Sequence, residues 1–400
     1  MAKPVKRKKK VYLYEVDLMR VIFIFGVLAN HATSVVTAYV SSSSTSYVIL
    51  LASHLILHFT RMGFMFISGL VLFLQYYHKD NVSWPGFWLK RYKGSGIPYV
   101  LWNAIYTALA LVLTSSLTFS KWGQDFWGHI LHADGFYMYY LLVMFQLYLI
   151  FPLLVMMFKK LGSTRNQLIL MGISAAVQLV FTFWTKYKYP YISTAGWPYL
   201  LSHYKNFIGA YQFYFLAGAF VSINYQTCKD FLQAHAKALY GITAVLAAGT
   251  FGLYYFNTKV LGLTRHYAEL IHQPYLMIYA SFMVATVFLL SLEYAKRRTR
   301  PGWQPFAKFV GISSKISFGI YLGQTVALTL LTKLLSYVHT TSWAMLLLTP
   351  LAYLFALGFT WIMSYIFYKV PPFGVLIGRP QMVTRRILAK FKQKKEVTVQ

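Results

Sequence analysis

Arg20 and His31 are the residues whose types and spacing first suggest chemistry. Both lie in an apolar run near the N-terminus, within Glu15-Val16-Asp17-Leu18-Met19-Arg20 and then Asn30-His31. An ionisable side chain inside such a run is costly to keep in lipid and marks a functional site by default. Eleven residues of helix leave about 20° of phase between the two, so they share a face, about 16 Å apart along the axis. That separation rules out direct contact and suits two depths of one passage. Asp17, three residues before Arg20 on the same surface, is placed to neutralise part of its charge. A neutral imidazole such as His31 is the natural general base for activating a hydroxyl near pH 7. The bland alternatives are a histidine bonded to a helix carbonyl and an arginine snorkelling to the interface.

A second set, His54, His58 and Arg61, falls at i, i+4 and i+7 and so shares one helix face. The histidine spacing is one that binds zinc, but no carboxylate ligand or glutamate base stands beside it. The expectation is therefore a polar lining and no metal. Lys315 and Lys333 bracket a later apolar run and are expected to snorkel. The single cysteine, Cys228, excludes an intramolecular disulfide framework and a thiolate metal cluster.

The elements that must hold these residues are membrane helices. Of the 400 residues 58% are hydrophobic and only 12% charged, and mean hydropathy is +0.50. A soluble domain runs nearer half apolar and a quarter charged. The apolar runs predict ten spans at roughly 12–37, 46–77, 97–117, 136–158, 167–186, 206–225, 238–257, 273–294, 312–336 and 344–369. The second is too long to cross upright and is expected to tilt or protrude. Between the runs, 28 of the 38 Lys and Arg fall on one side and six on the other, with Arg20, Arg61, Lys315 and Lys333 inside spans. The positive-inside rule then puts both termini in the cytoplasm. The expected fold is all-α, a polytopic integral membrane bundle of about ten transmembrane helices. It is flanked by a basic cytoplasmic N-tail at 1–11 and a basic cytoplasmic C-tail at 371–400.

Lys6 to Lys10 before Val21 to Leu28 mimic a signal peptide. Glu15, Asp17 and Arg20 intrude into that run, so it reads as a retained first span. Trp84, Trp88, Trp102, Trp122, Trp127, Trp184 and Trp197 fall near predicted span ends, as an interfacial belt should. The segment from Arg379 to Lys395 reads equally as an amphipathic helix on anionic headgroups or as a solvated tail. The net charge of +29 is distributed as topology signals rather than as a nucleic-acid-binding module, so no nucleic-acid partner is expected. A solute transporter would need paired interrupted helices at the midplane, and none is evident.

Asp17-x-x-Arg20 followed by His31 resembles the first-span signature of the acyltransferase 3 family. Further matches follow in order. Arg61 to Gly69 (RMGFMFISG) is similar to the family's second-span pattern, and Phe87 to Lys93 (FWLKRYK) with Ile97-Pro98-Tyr99 to its basic segment. Tyr137 to Pro152, Phe215-Leu216-Ala217-Gly218 and Ser317 to Leu322 (SFGIYL) also fit. Three positions depart from the pattern. Gly94 stands where a second arginine is usual, and Tyr137 and Gln324 stand where histidine is common. Neither tyrosine nor glutamine is a general base at neutral pH, which puts more weight on His31.

The resemblance implies a membrane O-acyltransferase at the cell membrane. It would move an acyl group, acetyl in the first instance, from cytoplasmic acyl-CoA to a hydroxyl of a cell-envelope polysaccharide or glycan. It further implies that Arg20 holds the pantetheine or polarises the thioester, and that His31 deprotonates the acceptor. Lys90, Arg91 and Lys93 would dock the donor's phosphates, unless they only set topology. Asp17, Arg61, Tyr137, Tyr321 and Gln324 are expected to line the passage. Acyl-CoA is the implied donor, with no metal. The implied partners are the glycan acceptor, membrane lipids and polysaccharide-synthesis machinery. A non-enzymatic polysaccharide exporter is the alternative.

Overall fold

The computed structural model describes residues 12–379, and every described secondary-structure element is helical. The N-tail expected at 1–11 and the amphipathic helix expected beyond Arg379 lie outside the described residues. In chain order the helices are α1 (Tyr14–Thr37), α2 (Thr45–Leu57), α3 (Phe59–Tyr76), α4 (Trp84–Leu113), α5 (Phe119–His132), α6 (Tyr139–Leu161) and α7 (Thr164–Tyr187). There follow α8 (Tyr199–Ser202), α9 (Gln212–Ile223), α10 (Tyr225–Ala234), α11 (Ala236–Tyr255), α12 (Arg265–Ala268), α13 (Pro274–Arg297), α14 (Gln304–Leu335) and α15 (Ser342–Lys369). Many helices start where a hydroxyl can cap them. Ser44, Ser83, Thr118, Ser163 and Thr341 each accept a hydrogen bond from the backbone N–H three residues on.

Among the described residues nine helical segments are long and apolar enough to cross a membrane, with α2 and α3 counted as one. The chain is a multi-pass membrane protein. Its outward faces carry exposed Leu347, Val245, Val180, Leu153 and Ile173, the residues lipid solvates best.

The sixth expected span, 206–225, is built differently from its neighbours. Its regular part, α9, has only 12 residues, about 18 Å of helix against a hydrocarbon core of about 30 Å. Yet the segment runs antiparallel along α7, with Asn224 beside Thr164 and Gln167 at one end and Ala210 beside Gln178 further along. The missing turns are replaced by two short 3-10 turns, Tyr204–Asn206 and Ile208–Ala210. Side chains supply the partners that a continuous helix would have provided. Gln146 donates to Asn206 O at 2.7 Å and accepts from Ile208 N at 3.2 Å. Gln178 donates to Ala210 O at 3.0 Å. Broken backbone at membrane depth needs such internal satisfaction.

The second expected span also differs from a tilted rod. Its helix is interrupted at His58, which separates α2 from α3. Small residues then let α3 approach its neighbours closely. A Cβ on Gly69 would sit 2.0 Å from Phe215 O, and one on Gly218 would sit 2.0 Å from Phe66 O, so α3 and α9 touch backbone to backbone. Gly26 lies against Thr60, and Gly63 against the ring of Phe23, which draws α1 onto α3.

Helix α1 is central, flanked by α2, α3, α13, α14 and α15. Asp17 near its start bonds Ser314 of α14, and Tyr39 past its end bonds Thr332 O near the end of α14. The two therefore run parallel. Ser41 meets Ser342 at the start of α15, so α15 runs back antiparallel. The start of α1 and the end of α15 consequently share one face of the bundle.

The tail expected from residue 371 begins later than that. Residues 370–379 pack as a strap against α4, α14 and α15, with a 3-10 turn at Phe373–Ile377. Trp102, expected in an interfacial belt, is instead 3% exposed inside α4 and donates its indole N–H to Leu376 O at 2.9 Å.

Candidate active site

A cavity of about 810 Å³ lies between α1, α3, α4, α6, α14 and the strap. Because these helices alternate in direction, their cavity residues sort by depth. Lys90, Arg91, Lys93 and Gly94 from the first turns of α4, with Val375 and Gly378 of the strap, form a basic mouth. Arg20, Ser68, Tyr148 and Ser317 lie further in. His31, Asn30, His58, Arg61, Tyr137, Tyr139, Tyr321 and Gln324 wall the deep end. Nine of the ten expected site residues thus face one space. Lys90, Arg91 and Lys93 sit on a helix rather than in a loop, because Ser83 caps α4 well before them.

Asp17 is the exception. It is absent from the cavity wall, and its carboxylate accepts from Tyr12 Oη and Ser314 Oγ, both at 2.7 Å. Among the described residues it makes no direct ion pair with Arg20, but its charge still acts on the guanidinium from nearby and offsets part of it, as the helix spacing suggests. The two hydroxyls turn it toward α14. Glu15 is similarly occupied, by Tyr225. The ion pairs among the described residues lie elsewhere, at His129–Asp134, Arg265–Glu269 and around Glu293. Among the described residues no carboxylate lines the cavity, whose wall carries cations.

Proline shapes two walls. Pro98, buried in α4, has no N–H, so Gly94 O loses its helical partner at the mouth. In α6, Pro152 likewise frees Tyr148 O, which accepts the Trp88 indole N–H at 2.8 Å and ties α6 to α4. Tyr92 Oη adds a second tie, to Phe145 O at 2.9 Å.

At the deep end, the His31 ring meets the edge of Tyr137, with centroids 3.9 Å apart. Neither nitrogen of His31 has a hydrogen-bond partner among the described residues. Tyr137 is held there by backbone, not by its own side chain. Phe136 and Tyr137 both take left-handed φ values, 56° and 63°. Such values are uncommon for bulky residues and need an external hold. Tyr321 Oη provides it by donating to Tyr137 O at 2.6 Å, with Thr325 Oγ1 near Phe136 O at 3.4 Å. Arg61 lies over the Tyr139 ring at 4.6 Å.

Of the shared face expected for His54, His58 and Arg61, the break at His58 leaves the last two on the cavity. His54 turns to Ser34 Oγ at 3.1 Å, its ring 4.5 Å from that of His58. Gln324 is 1% exposed, and neither its amide oxygen nor its nitrogen has a partner among the described residues. His58 Nε2 is also buried, with no hydrogen-bond partner among the described residues. Among the described residues no three His, Cys, Asp or Glu side chains gather as a metal site.

Some features had no clear signal in the sequence. The strap's contribution is one, since only Gly378 near a Pro-Pro pair hinted at fixed structure. Lys186, counted as an outer-loop charge, is 2% exposed and bonds Asn257 and Gln273 Oε1, the latter at 2.8 Å. Asn257 lies in a π turn, Phe256–Val260, so this buried lysine fastens a distorted helix end.

The cavity joins cations at one end to an unencumbered imidazole at the other, in a chain of many spans. A family model described as an acyltransferase domain, Acyl_transf_3, matches residues 13–368. The chain belongs to the acyltransferase 3 family. It is a membrane acyltransferase, and the matched range takes in every helix that lines the cavity. No curated protein and no solved structure matches the chain.

Proposed function

We propose that this acyltransferase is an O-acyltransferase of the cell membrane, moving acetyl from cytoplasmic acetyl-CoA to a hydroxyl of a cell-envelope glycan. The observation that carries the reading is the single cavity with phosphate-type cations at its mouth and His31 at its deep end. Its volume falls in the range of about 300–1,000 Å³ usual for small-molecule sites. Lys90, Arg91 and Lys93 would hold the donor's phosphates, with the guanidinium of Arg91 suited to bidentate contact. Arg20, between mouth and depth, would steady the pantetheine arm and so bring the thioester toward His31.

In this reading His31 takes the proton of the acceptor hydroxyl as its oxygen attacks the thioester carbonyl. Arg61, beside His31 at the deep end, faces the oxyanion that develops on that carbonyl. Collapse of the tetrahedral intermediate breaks the C–S bond, and the departing coenzyme A thiolate takes the proton back from imidazolium. No covalent enzyme intermediate is required. Basic-residue asymmetry favours a cytoplasmic mouth and cytoplasmic termini.

Mass spectrometry of surface glycans from cells with and without the protein tests the reading. Loss of O-acetyl groups from an otherwise unchanged polymer is expected. Loss of the polymer itself would instead identify an exporter.

A further inference from the structure

The strap is a fixed wall of the donor site. Its backbone is anchored by the Trp102 indole on Leu376 O and by Ile377, 2% exposed, in a notch that exists because residue 319 is glycine. A Cβ on Gly319 would sit 2.6 Å from Ile377 Cγ2. Gly378 then takes φ +64°, and a Cβ there would sit 2.4 Å from Gly94 O. Only glycine meets both conditions. Gly94 O is the carbonyl that Pro98 leaves without a helical donor, so the strap reaches α4 where its hydrogen-bond ladder is open. Arg379 N bonds Gly374 O at 2.9 Å and closes the turn.

Gly378, which lines the mouth, thus meets Gly94, the neighbour of Lys93 on α4, and Arg379 follows it as the next residue of the strap, just outside the cavity wall. Arg20 lies within electrostatic reach of both the Asp17 carboxylate, which acts on it more strongly, and the Arg379 guanidinium, which opposes it. Among the described residues Arg20, Lys90, Arg91, Lys93 and Arg379 make no ion pair and no carboxylate lines the cavity. Four of these five cations, Lys90, Arg91, Lys93 and Arg379, have no carboxylate in contact among the described residues, and like charges so gathered repel one another and concentrate a field that favours a polyanion.

We propose that the strap is part of the donor site and that Arg379 binds the phosphates of the polyanionic donor. The inference rests on the acyl-CoA reading above. The chemistry recognised is a phosphate monoester or diphosphate, which both coenzyme A and anionic lipid headgroups carry.

The test is coenzyme A binding to the full-length protein in nanodiscs of phosphatidylcholine, which carry no anionic headgroups. Arg379→Gln should weaken binding about tenfold, the scale of one charge-assisted hydrogen bond. Arg379→Lys should lose less. Gly378→Ala should weaken binding with every charge retained, because it lifts the strap from α4. A Cβ on Gly94 meets nothing within 4 Å, so Gly94→Arg added to Arg379→Gln should recover affinity by returning a guanidinium to the mouth. Unchanged affinity in Arg379→Gln, with wild-type binding intact, overturns the role of Arg379 and leaves the donor reading standing. That is also the result expected if Arg379 serves lipid headgroups. Absence of coenzyme A binding by the wild type overturns the donor reading and this inference with it.

Discussion

Replacing Gln324 with leucine should make the protein more stable and a poorer enzyme. The amide sits on α14 with 1% of its surface exposed, and both its oxygen and nitrogen lack partners among the described residues. A buried polar group left unsatisfied costs roughly 1–3 kcal/mol. Leucine has a similar volume and brings no polar atom, so Gln324→Leu should relieve a penalty on the order of 1–3 kcal/mol. On the scale of two-state domains that corresponds to an apparent unfolding temperature raised by ~2–4 °C or more. The same change removes a donor and an acceptor from the wall that also holds His31. A hydroxyl, which both donates and accepts, is the ligand such an amide suits best. Transfer to the acceptor should therefore fall about tenfold or more, by loss of one or two hydrogen bonds, while coenzyme A binding at the mouth is unchanged. Thermal unfolding of purified protein in detergent reads the first effect, and acyl transfer with coenzyme A titration reads the second. A variant less stable than wild type would refute the reasoning, because the amide would then be satisfied within the fold.

Other perturbations test other links. Gly218→Ala places a Cβ 2.0 Å from Phe66 O. The α3–α9 contact should open at a cost of about 1–3 kcal/mol or more, seen as a lower unfolding temperature. Arg91→Gln with Lys93→Gln should raise KM for acetyl-CoA about tenfold with kcat nearly kept, since a contact to the non-reacting end of the donor is the same in ground and transition states. Steady-state kinetics decides it. Unchanged KM would reduce those cations to topology signals.

The sequence revealed the ends of the cavity better than its walls. Arg20 and His31 stood out because a charge and an imidazole at helical spacing are conspicuous in an apolar run, and both do face the cavity. The run lengths likewise located nearly every crossing. What stayed hidden depends on contacts between distant segments. Asp17 acts on Arg20 as one helix alone suggests, but its hydrogen bonds come from Tyr12 and from Ser314, nearly three hundred residues away, which no local reading could supply. Trp102 reads as interfacial until Leu376 is brought over it. The shortened α9 cannot be foreseen from a uniformly apolar run, because its break is sustained by Gln146 and Gln178 on other helices. Local periodicity shows which face a residue occupies, whereas only the packed bundle shows what that face meets.

The central claim is that His31 activates the acceptor, and the most direct measurement is acetyl transfer by purified His31→Ala protein. Folding should be nearly normal, because no hydrogen bond of His31 is lost. The variant should bind coenzyme A like wild type and transfer acetyl to envelope glycan ~10²–10⁴-fold more slowly, the usual cost of losing a general base. Transfer at the wild-type rate, with donor binding intact, would contradict the account.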